Sequence, residues 1–471
     1  MRAPRSYGWL VGSRSPGARE VWRRQSTKRA LEATFIERFL GTRVSGRDGQ
    51  SAIHYERNLA KNIRRVNHSI RRMSYQFSAY QLVLKSKGRD KFPRVISLPV
   101  VRDRLVLRAL ATTLNIVSPR CSIELAQSKV SRVSAALSSE QFSHFLKLDV
   151  QDFYPSIEHT WLRATLKRAI GYQPLVELFM DAVRTPTLSR TEKHRGQVET
   201  TGVPQGLAIS NGLAELAVQH VDDMFANDQR VAYFRYVDDV LILMSGDLSS
   251  ELLPKLKRAL RLAGLEAHPV KVGSTKSAVG AISQGFEFLG YKFDWPRVSV
   301  RNGSINRLEA TLARTFTRYR YAVARRSGEE WKQSCTRRLE WHLNLVITGC
   351  VFEGNRLGWL AYFSQIRHHQ LLEHLDALVA KQFARHQVTG ISPKTFLASY
   401  RYAASRRADE TGFVPNFDTT SNEEMRRTLV DIFMVDARRV SALTDEMSAE
   451  LFKRRIRGVV VELERDIQSG Y

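Results

Sequence analysis

Apolar residues recur along this chain with two periods, and the switches between them mark its elements. Phe145-Leu146-Lys147-Leu148 runs as a short strand into Asp149, and Pro155-Ser156 then opens an amphipathic helical stretch from Ile157 to Ile170 that stops at Gly171. Tyr233 through Leu243 sets aromatic and branched residues on both sides of Asp238-Asp239, the pattern of two strands joined by a tight turn. Leu213, Leu216, Ala217, Val221 and Met224 fall at helical spacing. Ahead of that helix, which starts near Ser210, Gly and Pro keep Thr201-Gly202-Val203-Pro204-Gln205-Gly206 out of regular structure. Leu252, Leu253, Leu256 and Leu260 mark a further helix ending near Gly264, and Phe286 to Phe293 alternates as a strand around Gly290.

The flanks read differently. From Ser26 onward, Leu31, Phe35, Ile36 and Phe39 predict a helix, and residues 52 to 120 read as helices around one extended stretch, Leu82 to Ile96. That stretch has strand-like ends and a basic loop containing Gly88 and Pro93, a shape able to fold over phosphates. Leu98 to Leu105 then enters a helix, and residues 301 to 471 are mostly helical by pattern.

Charge changes the picture most. Lys and Arg number 73 against 47 Asp and Glu, a net charge of +26 spread along 471 residues rather than packed into a tail. Such a surplus suits a polyanion contacted over a long track, nucleic acid above all, although a generally basic surface has the same composition. Arg2, Arg5, Arg14, Arg19, Arg23, Arg24, Lys28 and Arg29 against Glu20 alone make residues 1 to 30 a basic arm. An organellar transit peptide shares that composition, and an arm touching RNA is the preferred reading. No apolar run approaches the roughly 18 residues of a membrane span, so the expectation is a soluble, cytoplasmic protein without a membrane partner. Cys121, Cys335 and Cys350 lie far apart and follow no metal-ligand spacing, which predicts a reducing compartment without disulfides.

The chemistry concentrates in the acids. Two adjacent carboxylates at a hairpin tip repel each other unless a cation sits there. Asp222-Asp223 repeats the pair but falls in the helical segment, where neighbours point about 100° apart. That pair is assigned to a solvated helix face. Asp149, at a strand end, supplies a third acid from a separate stretch.

Leu148-Asp149-Val150 with Asp152-Phe153-Tyr154, then Gly202-Val203-Pro204-Gln205-Gly206, then Tyr236-Val237-Asp238-Asp239, then Phe288-Leu289-Gly290, resemble in this order the palm of reverse transcriptases. The nearest likeness is to the bacterial group of group II intron, retron and defence-associated (antiviral) enzymes. The resemblance implies an α+β right-hand polymerase, with fingers, a palm of antiparallel sheet and helices on one face, and a mostly helical thumb and C-terminal extension. Its expected parts are a basic arm and helix over 1–50, fingers over 51–144, palm over 145–300, a thumb-like domain over 301–385 and the extension over 386–471.

It also implies the site. Asp149, Asp238 and Asp239 are the expected catalytic acids, holding two Mg²⁺ ions roughly 3.5 to 4 Å apart, with the Val150 carbonyl as a further metal contact. Asp149 and Asp238 are the bridging ligands, and Asp239 is the weaker one. Nucleotide contacts are expected from Arg94, Asp152, Phe153, Tyr154, Gln205, Gly206 and Lys271, with Lys276 close enough in sequence to compete with Lys271. Asp152 also suits a purely structural place at a helix N-terminus. Tyr154 matches the aromatic gate that leaves no room for a ribose 2′-hydroxyl, so deoxynucleotides are the expected substrates.

Downstream, Arg314, Arg318, Arg320 and Arg325 interleave with Tyr319, Tyr321, Trp331 and Trp341, a mixture that can grip a phosphate backbone and stack on bases. Aromatics at helical spacing are more often core. His342, His368, His369 and His374 lack the spacing of a zinc set. Asn344 to Gly349 and Gly358 to Phe363 resemble the helical extension of defence-associated reverse transcriptases. The expected function is an RNA-directed DNA polymerase in bacterial antiviral defence, using a noncoding RNA template, dNTPs and Mg²⁺ to make DNA. Template-independent or protein-primed DNA synthesis and an inactive RNA-binding scaffold are the alternatives. A second polymerase subunit or a homo-oligomer stays open.

Overall fold

The computed structural model of the protein describes residues 17–86, 92–122, 124–192, 199–271, 274, 276–404 and 412–468. Arg2, Arg5 and Arg14 of the basic arm, and Lys87, Arg89 and Lys91 of the basic loop, lie outside the described residues. The chain divides into two compact units, one of Met1–Glu124 and Phe145–Val279, the other of Leu125–His144 and Gly280–Tyr471. Among the described residues, no helix is long and apolar enough to cross a membrane.

The first unit is built on two sheets. Strands β1 (Tyr80–Lys85) and β2 (Arg94–Leu98) form the antiparallel hairpin that the pattern predicts, and β1 also pairs in parallel with the short β4 (Thr187–Leu188). The larger sheet contains β3 (His144–Gln151), β5 (Val231–Tyr236), β6 (Asp239–Met244) and β7 (Glu266–Ala267), in the order β5-β6-β3-β7. β3 and β6 take the centre with mostly apolar side chains, Lys147 of β3 being the buried charge among them. Leu146 and Leu148 are fully buried, as are Leu241, Ile242, Leu243 and Met244. Each such side chain contributes about 1.5–3 kcal/mol through removal from water.

Helices cover this sheet with the faces their spacing predicts. Ser210–Phe225 buries Leu213, Leu216, Ala217 and Val221, and Ser249–Leu262 buries Leu252, Leu256 and Leu260. His159–Ile170 ends at Gly171, whose φ of 64° is the left-handed conformation of a helix stop. The helix Val101–Val117 carries a fully buried Asp103, which accepts from the Tyr75 hydroxyl at 2.6 Å and the Ser78 amide at 2.9 Å. Those bonds tie the chain entering β1 to the helix that follows β2.

The second unit is largely helical, with a small sheet at its start. Phe286 to Phe293, one alternating run in sequence, is two strands, Phe286–Phe288 and Tyr291–Asp294, reversed at Leu289 and Gly290 with φ of 50° and 78°. The strand Arg297–Val300 completes that sheet. Asn302–Ala324, Glu329–Thr348 and Asp445–Gln468 are its longest helices. A core of Leu345, Cys350, Phe352, Leu429, Phe452 and Ile456 lies between the last two and the helix Asn422–Asp431. All three cysteines are buried and free.

Candidate active site

The site begins at a two-residue turn. Tyr236 pairs with Asp239 at the end of the β5–β6 ladder, leaving Val237 and Asp238 to reverse the chain. Val237 has φ of 56°, a conformation that costs a β-branched residue of order 1–3 kcal/mol and persists only where the surroundings impose it. Arg235 is what imposes it. Its guanidinium donates to the Val237 carbonyl at 3.2 Å, to both oxygens of Glu215 at 3.0 and 2.7 Å and to both oxygens of Asp222 at 2.7 and 2.6 Å. The Tyr233 hydroxyl donates to Asp222 as well, at 2.9 Å. Asp222 therefore corrects the expectation of a solvated helix face. It anchors a buried cation beneath the turn, while only its neighbour Asp223 pairs on the surface, with Arg120 at 2.5 Å.

The third acid comes from β3. The Val150 amide donates to the Asp238 carbonyl at 3.1 Å, so Asp149 on β3 and Asp238 in the turn before β6 lie at the same end of the sheet. The Asp149 amide donates to the Ser277 hydroxyl at 3.1 Å, and its carbonyl accepts from the His268 amide at 2.9 Å. Its carboxylate receives the Lys276 ammonium at 3.1 Å on both oxygens, with the His268 imidazole 3.5 Å away.

Electrostatics couple the acids. Burial pushes the Asp238 carboxyl up, and the Asp149 charge adds to this, against Arg94 and Lys276. Asp239 is pushed up to about 7, first by burial and then by Asp238 and Asp149, with Lys147 on the next strand opposing. Among the described residues, no three His, Cys, Asp or Glu side chains already stand as a metal cage. The donor chemistry fits a hard divalent ion all the same. Asp238 and Asp239, both raised beside Asp149, are relieved by a cation, and an ammonium already lies on Asp149.

The nucleotide-side residues gather around one loop. The Gly202 amide donates to Ile157 and the Val203 amide to the Tyr154 carbonyl, each at 2.8 Å, while the Ser97 amide of β2 donates to the Gln205 carbonyl at 2.7 Å. Gly206 has φ of 100°, and a Cβ there would stand 2.7 Å from the Ile96 side chain and 3.1 Å from the Ser97 carbonyl. Only glycine satisfies both constraints. Phe153 is buried, and the Tyr154 hydroxyl donates to Asn211 at 2.8 Å. The Tyr154 phenol is raised by burial and by Asp238, with Arg94 opposing, which puts Tyr154 and Arg94 within electrostatic reach of the acids. Asp152 is exposed, with φ of 39°, at the start of the helical turn Phe153–Ser156.

Of the two candidate lysines, Lys276 meets Asp149. Lys271 begins the turn instead, its amide donating to the Ser277 carbonyl at 3.2 Å and its carbonyl accepting from Ser274. Sequence reasoning missed Arg235, Glu215, Lys147, Ser277 and His268. Only the Arg immediately before Tyr236, a cation in an otherwise apolar strand, was a readable signal. In the second unit Arg314 donates to Thr311 at 2.5 Å, Arg318 pairs with Glu462 at 2.6 Å, Arg320 lies over the Tyr321 ring and Arg325 caps its helix. Tyr319 is buried and Trp341 packs on Phe433, so these two rings are core.

Comparison with known proteins agrees with this geometry. Residues 84–293 match the family described as Reverse transcriptase (RNA-dependent DNA polymerase), a span just under half of the chain. That stretch is an RNA-directed DNA polymerase domain, the domain of a nucleotidyltransferase, and the mixed helix-and-sheet architecture is that of a right-hand polymerase. No curated protein matches by sequence. Among solved structures, the chain is similar to an apo telomerase from Candida tropicalis truncated from its C-terminal domain, at 13% identity and a TM-score of 0.36, over 48% of this chain and 55% of that one. The chain thus spans about half the length of that protein. It is also similar to a telomerase from Candida albicans in complex with a fragment of telomeric RNA, at 13% identity and a TM-score of 0.41, over 83% of this chain and 68% of that one.

Proposed function

We propose, on the premise of a reverse transcriptase domain at residues 84–293, that this protein extends a primer 3′-hydroxyl with deoxynucleotides on an RNA template. The observation that carries the reading is the meeting of Asp149 with the turn that bears Asp238 and Asp239, joined through the 3.1 Å bond from Val150 to Asp238. Asp149 and Asp238 would hold two Mg²⁺ ions, with Asp239 behind them and the Val150 carbonyl beside them. Bound there, Mg²⁺ supplies Lewis acidity for the attacking hydroxyl and the leaving pyrophosphate.

The chain's own residues do the rest. Lys276 balances Asp149 in the resting site. Arg235 holds the turn in its strained form, so that Asp238 needs no rearrangement when substrate arrives. Tyr154, fixed by Asn211, closes the space a 2′-hydroxyl needs. Arg94, Phe153, Asp152, Gln205, Gly206 and Lys271 surround the incoming nucleotide, and Arg314, Arg318, Arg320 and Arg325 contact nucleic acid.

The finer reading is antiviral defence in a bacterial cytoplasm, with a dedicated noncoding RNA. Its support is the pair of C-terminal stretches that resemble the extension of defence-associated enzymes. Gly349, which ends the first, packs so closely on Gly358, which opens the second, that a Cβ on Gly358 would stand 2.7 Å from the Gly349 Cα. Sequencing the nucleic acid that co-purifies with the protein, and the DNA it makes from dNTPs and Mg²⁺, tests both levels. An RNA whose complement is the product supports the reading. Product unrelated to any bound RNA moves it to untemplated or protein-primed synthesis, and no product with any template leaves an RNA-binding scaffold.

A further inference from the structure

The second unit contains a cavity away from the candidate acids, lined in part by Arg314 and Arg318, two of the proposed nucleic-acid contacts. It has a volume of about 110 Å³, several times the roughly 10–15 Å³ that one water needs. The helices Asn302–Ala324, Glu329–Thr348 and Asp445–Gln468 line it. Its walls are of two kinds. Leu339, Val346 and Val459 are its aliphatic lining, and Arg314, Arg318 and Arg338 also line it.

One acid opposes them. Glu462 pairs with Arg318 at 2.6 Å, and that bond holds its carboxyl below the usual range. His342 adds no charge at neutral pH, because burial, with Arg338 and Arg318 nearby, lowers it to about 4. The lining therefore keeps a surplus of two positive charges over an apolar base. A second, independent observation points the same way. The Nε–H of Arg338 is buried and has no acceptor among the described residues. A buried donor without an acceptor calls for a partner, a water or an ion among the candidates.

We infer that this cavity binds a phosphate monoester, the terminal phosphate of a nucleotide or of a nucleic-acid strand. Such a group carries a charge of about −1.5 to −2 and three strong acceptor oxygens, which matches the surplus charge. Guanidinium forks recognise it in bidentate fashion. An internal phosphodiester carries one charge and two bridging substituents, and it fits an enclosed pocket less well than an end does. The site lies wholly within the second unit, so it stands whether or not the proposed synthesis is correct.

The test uses the full chain without divalent metal and with the D238N substitution, so that nucleotide at the polymerase site does not contribute. Three probes are titrated: adenosine 5′-monophosphate, a short single-stranded RNA with a 5′-phosphate, and the same RNA with a 5′-hydroxyl. The phosphorylated RNA should bind about tenfold more tightly than its hydroxyl twin, and R338Q should erase that difference. A322F, which fills the rim, should do the same while thermal unfolding shows both variants folded. Nucleotide binding lost in these variants, without a preference between the two RNAs, identifies the free nucleotide as ligand. Equal affinity for both RNAs with no nucleotide binding, or a preference that survives R338Q and A322F, overturns the inference.

Discussion

The Arg235 guanidinium donates to the Val237 carbonyl at 3.2 Å, which makes a buried cation the clamp on the strained turn before Asp238. Four further bonds hold that cation to Glu215 and Asp222, so the turn is braced against a helix rather than by its own ladder.

Replacing Arg235 with Met should therefore act on both stability and catalysis. Two partly buried carboxylates lose their partner, which destabilises the fold, and Val237 is released. Urea unfolding should show the destabilisation, and primer extension at saturating dNTP should fall. R235K should rescue little, because an ammonium cannot fork to two carboxylates. Full rescue by Lys would count against the clamp.

Asp238→Ala should abolish nucleotide incorporation while RNA binding and folding remain close to wild type. Burial disfavours the charged carboxyl, so its removal also relieves a desolvation cost. A purified variant that still extends a primer at the wild-type rate would falsify the metal assignment.

The raised Asp239 gives a pH signature. Its carboxyl titrates near 7 in the folded state against an ordinary 3.8. Between these values the folded chain keeps a proton that the unfolded chain has released, so stability without metal falls as pH rises from about 4 to 7. Thermal unfolding should show D239N above wild type at pH 8 and level with it near pH 4. Mg²⁺ should reverse the trend by competing with that proton, raising the wild-type Tm more at pH 8 than at pH 6.

If Tyr154 is the proposed gate, Tyr154→Ala should admit ribonucleotides and Tyr154→Phe, which keeps the ring and loses only the bond to Asn211, should keep them out. Single-nucleotide incorporation with paired dNTP and rNTP decides this. Unchanged discrimination in the alanine variant removes the gate.

Gly206→Ala places a Cβ 2.7 Å from Ile96 at a φ of 100°. The expected cost is above about 1 kcal/mol, together with a higher KM for dNTP. Equal KM and equal stability would show that the loop moves aside freely.

Elements built from local pattern were legible in the sequence. The β5–β6 hairpin, β3 and the helices after Gly206 and before Gly264 stand where periodicity predicts them, because each buries its own apolar face. What sequence could not supply was pairing across distance. Asp222 looks solvated on its helix, and only the packing of that helix under β5 turns it toward Arg235. Sequence favours Lys271 with Lys276 as competitor, and it is Lys276 that reaches Asp149 while Lys271 bonds to Ser274 and Ser277 through its backbone. Gly206 reads as a loop residue, and its narrow fit against Ile96 comes from a strand more than a hundred positions earlier.

The bond from Ser97 to Gln205, with Gly206 seated on Ile96, makes the β1–β2 hairpin and the loop at 201–206 a single lever. On the proposed reading, a triphosphate held by Arg94 would pull the same strand that carries Ser97. Substrate grip and loop posture then move together. Variants selected for altered fidelity at either end should change both traits, and pairs of such variants should show strong epistasis.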